Sequence, residues 1–188
     1  MIDLLDLQKT FIDRHLHPGG IAVDFTMGNG YDTAFLADRV GENGKVFAFD
    51  IQQKALDSTR ARLESLGLAD RCTLILDSHS NAEKYVDGQF NAGMFNLGWL
   101  PGSGDKSVTT KRETTLPAVR YAVSHLAADG ILLIAIYPGH EEGDAEGKEV
   151  CDYLSSLDRR VLCVTQVKIL NSPSSPYFMI IEKKEERK

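Results

Sequence analysis

Two carboxylates and a pair of glycines give this chain its first chemical character. Asp24 closes the apolar run Ile21-Ala22-Val23. Gly28-Asn29-Gly30 follows, ahead of a segment whose apolar residues (Ala34, Phe35, Leu36, Ala37, Val40) recur at helical spacing. Twenty positions beyond Gly30, a second apolar run from Lys45 ends at Asp50, where a strand-end acid reaches the hydroxyls of a ribose held over the turn. Glycine at 28 and 30 lets the backbone turn tightly and approach a ligand. Thr33 takes the place of the third glycine of a dinucleotide fingerprint, and Asp24 lies where its charge repels a pyrophosphate and suits a cation. These residues suit a positively charged, nucleoside-like ligand.

An acid, a Gly-x-Gly turn and a ribose acid together resemble the cofactor site of class I S-adenosylmethionine-dependent methyltransferases, whose cofactor carries a sulfonium and an ammonium. The resemblance implies that Asp24 and the Gly28-Asn29-Gly30 backbone hold the methionine end. It gives Asp50 the ribose, Gln52 the adenosine side, and Asp77, Ser78 and His79 the adenine edge. Asp32 and Thr33, residue types that cap helices, complete the cofactor set at the start of the next helix. A solvated strand-end acid is the plain structural reading of Asp50, and an ordinary polar contact that of His79.

A second group of residues could hold a methyl acceptor. Asn96-Leu97-Gly98-Trp99 resembles the Asn/Asp-Pro-Pro-Tyr motif of amino methyltransferases acting on nucleobases, with both prolines replaced. An asparagine oxygen accepts hydrogen bonds from an amine, and the single tryptophan can stack on a base. Tyr137 and His140, in Tyr137-Pro-Gly-His-Glu-Glu142, follow the most apolar strand. A histidine of ordinary pKa about 6.5 there could help an alkylamine lose a proton. Lys106 belongs to the dense basic group Lys106, Lys111, Arg112 and Arg120, which suits either phosphates or a solvated helix face. A core tryptophan and a helix-start loop are the structural alternatives.

The elements that must position these residues alternate strand and helix. An amphipathic helix is expected over residues 3–16, and strands over 21–25, 45–50, 73–76, 91–95 and 131–136. Helices are expected over 34–40, 52–66, 109–126 and 144–157, with Pro117 kinking the third of these or marking its start. In the 52–66 helix, Ala55, Leu56, Thr59, Leu63 and Leu66 should face inward, with Arg60 and Arg62 outward. Strands over 161–170 and 177–182, joined by Asn-Ser-Pro-Ser-Ser-Pro, leave no room for a crossover helix and must pair antiparallel. The expected fold is α/β and Rossmann-like: a seven-stranded, mostly parallel sheet with a C-terminal antiparallel hairpin and helices on both faces. The functional clusters fall on the carboxyl edge of that sheet, where open α/β sheets bind ligands.

At 188 residues the chain suits a single domain, 1–188, with 183–188 as a charged tail. Net charge −6 opposes indiscriminate nucleic-acid binding but allows a local basic patch. Cys72, Cys151 and Cys163 are too far apart for a zinc knuckle, and no metal site is indicated. The acidic N-terminus and the lack of a long apolar run point to a cytoplasmic protein with no membrane association. A homodimer stays open.

Residues 24–33 (Asp-Phe-Thr-Met-Gly-Asn-Gly-Tyr-Asp-Thr), 95–106 (Phe-Asn-Leu-Gly-Trp-Leu-Pro-Gly-Ser-Gly-Asp-Lys) and 137–143 (Tyr-Pro-Gly-His-Glu-Glu-Gly) together resemble the small bacterial proteins long labelled rRNA methylases. Members of the MnmM (YtqB) type in that family are assigned to tRNA modification. The resemblance implies transfer of a methyl group from S-adenosylmethionine to the aminomethyl nitrogen of 5-aminomethyl(-2-thio)uridine at the tRNA wobble position. The anticodon region of tRNA would then be the partner. An rRNA or small-molecule amine acceptor remains an alternative. An NAD-dependent oxidoreductase would share the glycine turn and Asp50, but it would keep a third glycine and continue with parallel units. A non-catalytic binding module would carry a degraded cofactor motif.

Overall fold

Strands β1 (Ile21–Asp24), β2 (Lys45–Asp50), β3 (Cys72–Leu76), β4 (Phe90–Leu97) and β5 (Leu126–Ile136) pair in parallel. β6 (Leu162–Val167) and β7 (Tyr177–Lys183) form an antiparallel hairpin, and β7 also pairs antiparallel with β5. The computed structural model describes residues 3–100, 109–139 and 141–184, and these seven strands form one sheet in the order β3-β2-β1-β4-β5-β7-β6. The expected sheet and terminal hairpin are therefore present. β4 is the middle strand, and the more apolar β5 lies next to it.

Alternation along the strands builds two cores, one on each face. Val23, Phe95, Leu132, Ile134 and Met179 join one cluster; Ala22, Met94, Ile131, Leu133 and Ile180 join the other. Helices α4 (Arg112–His125) and α5 (Glu141–Ser155) cover the first face through Val119, Ala122, Val150 and Leu154. Helices α1 (Leu4–Ile12), α2 (Tyr31–Val40) and α3 (Gln53–Leu66) cover the second through Ile12, Leu36, Val40 and Leu63.

Several local expectations are corrected. α1 is shorter than 3–16 and has Asp3 as its N-cap, whose carboxylate accepts from Leu5 N at 2.8 Å. Neither Asp32 nor Thr33 caps α2. Gly30 does, at φ 78°, and both residues lie in the first turn with their side chains engaged elsewhere. Pro117 sits inside α4, and Leu66 is exposed. Arg62 folds back instead of pointing outward: its Nε donates to Asn29 O at 2.8 Å, and its guanidinium lies 3.5 Å from the Tyr31 ring centroid. The charged tail expected over 183–188 begins later, because Lys183 ends β7 and its Nζ donates to Leu126 O at 2.6 Å; residues 185–188 lie outside the described residues.

Candidate active site at the carboxyl ends of the strands

A cavity of about 630 Å³ opens at the carboxyl edge of the sheet, within the size range of small-molecule sites. The segment after β1 contributes Phe25, Thr26 and Gly28; the end of β2 gives Phe49, Asp50, Ile51 and Gln52; Asp77, Ser78 and His79 come from the segment after β3. The opposite wall is the end of β4 with the residues that follow it, Asn96 to Leu100, together with Thr109 to Lys111, Thr114 and Tyr137. The parallel register delivers these groups together, because β1, β2 and β4 run side by side with Asp24, Ala48 and Met94 level with one another.

On the β2 side, Asp50 is held by the turn it faces. Its Oδ2 accepts from Gly28 N at 3.1 Å and its Oδ1 from Gln52 N at 2.9 Å. Burial raises its pKa, and those backbone donors oppose the rise. Asp77 accepts from Asn81 Nδ2 and Tyr85 Oη, each at 2.9 Å, and from Ser78 N at 2.7 Å. These hydrogen bonds hold its carboxyl below the ordinary range. His79 lies behind it with Nδ1 3.1 Å from Phe25 O. A carbonyl can only accept, so Nδ1 carries the proton and Nε2 presents a lone pair. Burial pushes the His79 pKa down to about 4, which keeps the ring neutral at pH 7.

Behind the glycine turn, Asp24 is fully buried. Its carboxylate accepts from Thr33 Oγ1 at 2.6 Å and from Thr26 N at 3.1 Å. Burial and the nearby Asp32 raise its pKa to about 7 against those hydrogen bonds. Gly30 is required by packing: a Cβ there would meet Thr59 Cα at 2.9 Å.

Asn96 dominates the β4 side. Its backbone N donates to Thr26 Oγ1 at 2.7 Å, and its Nδ2 donates to Asp32 Oδ2 at 2.6 Å. Its Oδ1 is buried without a partner. Burial raises the pKa of Asp32, while Lys9 and the Asn96 hydrogen bond hold it down. Tyr137 is raised by burial and then by Asp32 and Asp3. Trp99, which is about one-third exposed, and Thr109 form an antiparallel bridge on this wall. Thr110 N donates to Gly98 O at 3.0 Å. Next to that bridge, Glu146 is 2% exposed and accepts from Thr110 Oγ1 at 2.9 Å and Thr115 Oγ1 at 2.6 Å.

Of the residues singled out from sequence, Gly28, Asp50, Gln52, Asp77, Ser78, His79, Asn96, Leu97, Trp99 and Tyr137 line one cavity. Asp24 and Thr33 form the support behind the turn, and Asp32 lies behind Asn96. Asn29 and Gly30 form the turn itself. Lys106 and His140 lie outside the described residues. Lys111, from the basic group, also lines the cavity; Thr26 and Thr114 were not foreseen. Thr26 sits within the first motif, whereas Thr114 had no local signal beyond a helix start. Among the described residues, four buried side-chain polar atoms lack a partner, and three of them, His79 Nε2, Asn96 Oδ1 and Thr109 Oγ1, belong to the cavity wall. Unpaired buried polar atoms are costly, so their concentration here fits a bound polar molecule. Asp50 beside Gly28, the apolar Phe25 and Phe49, and the Asp77–His79 edge suit a nucleoside such as that of S-adenosylmethionine.

Comparison with known proteins identifies the family. Residues 46–183 match the model of the family described as "Putative rRNA methylase". An Arabidopsis thaliana protein named tRNA (mnm(5)s(2)U34)-methyltransferase, chloroplastic, is 33% identical over 183 residues, covering 92% of this chain; the chain spans 66% of that relative's length. The solved structure of a "putative rRNA-methylase" from Clostridium thermocellum is 42% identical over 97% of this chain and 98% of its own, with a TM-score of 0.93. A "putative methyltransferase" from Streptococcus mutans, solved in complex with SAH, is 38% identical over 97% of this chain and 99% of its own, with a TM-score of 0.88. With the family model spanning β2 to β7, the chain belongs to the rRNA methylase family of methyltransferases.

Proposed function

We propose that this S-adenosylmethionine-dependent methyltransferase methylates the aminomethyl nitrogen of 5-aminomethyl(-2-thio)uridine at the wobble position of tRNA, giving the methylaminomethyl form. The observation that carries the reading is Asn96 Oδ1, a buried acceptor without a partner on the wall opposite Asp50. An acceptor in that place suits a nucleophile that brings its own N–H. The name of the Arabidopsis relative, a tRNA methyltransferase of that wobble nucleoside, supports the substrate.

When bound, S-adenosylmethionine supplies a sulfonium-activated methyl group for in-line attack. The chain's residues do the rest by binding, aligning and drying the reactants. Asp50 takes the ribose hydroxyls, the Asp77–His79 edge takes the base, and Phe25, Phe49, Leu97 and Leu100 exclude water. Asn96 Oδ1 accepts one amine N–H and so aims the nitrogen lone pair, while Trp99 and Tyr137 flank the target nucleotide. Only the neutral amine has a lone pair to offer, so turnover rises with pH until the acceptor is deprotonated.

The test is incubation with methyl-labelled S-adenosylmethionine and tRNA bearing 5-aminomethyluridine, followed by nucleoside mass spectrometry. A gain of one methyl on that nucleoside is expected, with Asn96→Ala lowering turnover about 100-fold at unchanged SAH affinity. Label on another nucleoside, or none despite SAH binding, refutes the substrate.

A further inference from the structure

Asp32 was expected from sequence to serve the cofactor, yet it does not line the cavity, and its carboxylate is directed to the wall opposite Asp50. Its Oδ2 lies 2.6 Å from Asn96 Nδ2. A carboxylate accepts and cannot donate, so the amide nitrogen must face it, and Oδ1 must be the atom left without a partner. An asparagine amide on its own can flip end for end. The backbone of the same residue is fixed independently by Thr26 Oγ1, at 2.7 Å, so the remaining freedom of Asn96 is in its side chain.

We infer that Asp32 is a positioning residue for the methyl acceptor: it holds the Asn96 amide in the orientation that leaves Oδ1 free to accept an N–H from an amine. The inference rests on the amine-acceptor reading of the site given above. Lys9 on α1 compensates the Asp32 charge, while Asp24 at the end of β1 and Tyr137 after β5 stand close enough to feel it. The pairing of Asp32 with Asn96 also separates two roles that sequence alone merged: Asp50 faces the glycine turn, and Asp32, two residues past that turn, faces the strand beyond it.

An exchange of the two side chains tests this. Asn96→Asp alone sets two carboxylates at hydrogen-bond distance, where they repel or share a proton, and should lower kcat at pH 8 at least tenfold. Adding Asp32→Asn restores an amide donating to a carboxylate with the partners exchanged, and leaves one oxygen of the introduced carboxylate facing the acceptor. The double variant should recover at least half of the lost activity on a logarithmic scale. Asp32→Leu, which releases the amide, should lower kcat about 100-fold and leave the SAH dissociation constant, measured by titration calorimetry, within threefold of the parent. A double variant no better than Asn96→Asp overturns the inference, as does a tenfold loss of SAH affinity in Asp32→Leu, which would return Asp32 to the cofactor. A parent protein that binds SAH yet methylates no 5-aminomethyluridine refutes the substrate reading instead; the SAH titration of Asp32→Leu still decides whether Asp32 belongs to the cofactor site.

Discussion

Replacing Asp24 with asparagine should change how stability depends on pH. The carboxyl titrates near 3.8 when unfolded and near 7 in the fold, chiefly because it is fully buried. Between those values the folded protein binds a proton that the unfolded chain does not, so stability falls as pH rises through the window. The difference amounts to about 4 kcal/mol at about 1.36 kcal/mol per pH unit. His79 acts with the opposite sign: its pKa of about 4 in the fold against 6.5 unfolded means that stability is lost as pH falls through that range, by about 3 kcal/mol. In the parent protein the two slopes oppose each other between pH 4 and 6.5. The introduced amide would resemble the protonated acid, donating to Thr33 Oγ1 at any pH, so the Asp24→Asn variant loses the first slope and keeps the second. Urea unfolding followed by circular dichroism at half-unit steps from about pH 4 to about pH 8 gives the difference between variant and parent. That difference should grow with pH in favour of the variant, reaching about 4 kcal/mol by about pH 8. A difference constant to within about 1 kcal/mol across the range would refute the assignment of Asp24 as a buried acid that ionises only near neutrality.

Asp50→Ala removes the acceptor for Gly28 N and Gln52 N as well as the proposed ribose contact, and should weaken SAH binding by roughly 10- to 100-fold in titration calorimetry. Unchanged affinity would move the ribose elsewhere. Glu146→Ala strands the hydroxyls of Thr110 and Thr115 and should cost about 2–4 kcal/mol in chemical denaturation, whereas Glu146→Gln, which still offers one acceptor oxygen, should cost less than half of that. Equal losses for the two would mean that the volume of the side chain matters and its acceptors do not.

Much of the sheet was legible because the first three strands are apolar runs closed by an acid, Asp24 and Asp50 at the ends of β1 and β2 and Asp77 just after β3, and because the short Asn-Ser-Pro-Ser-Ser-Pro connection cannot hold a crossover helix. The Gly30-to-Asp50 spacing located one half of the cavity for the same reason. Helix ends were less readable. α5 begins at Glu141, before the expected 144, with Glu141, Glu142 and Asp144 in its first turn, where acids favour the helix dipole. The 3₁₀ turn His79–Lys84 carries no periodic signal. What the sequence could not reveal is the pairing of Asp32 with Asn96, 64 residues apart, which exists only because β1 lies beside β4. Arg62 illustrates the same limit. Its position on the outer side of α3 follows from helical spacing, yet the Asn29 carbonyl and the Tyr31 ring draw it back.

The strand order bears on biosynthesis. β6 leaves the ribosome before β7, but its only neighbour in the sheet is β7, which inserts between β5 and β6. Until then β6 has nowhere to dock, and one edge of β5, apolar from Ile131 to Ile136, stands unpaired. The arriving β7 also meets the N-terminal segment, since Phe11 of α1 packs edge-on against Phe178 at 6.1 Å between ring centroids, and His15 after it reaches Glu182. An open, sticky strand edge persists from the emergence of β5 until β7 arrives, the interval in which a nascent chain of this topology is most prone to aggregate.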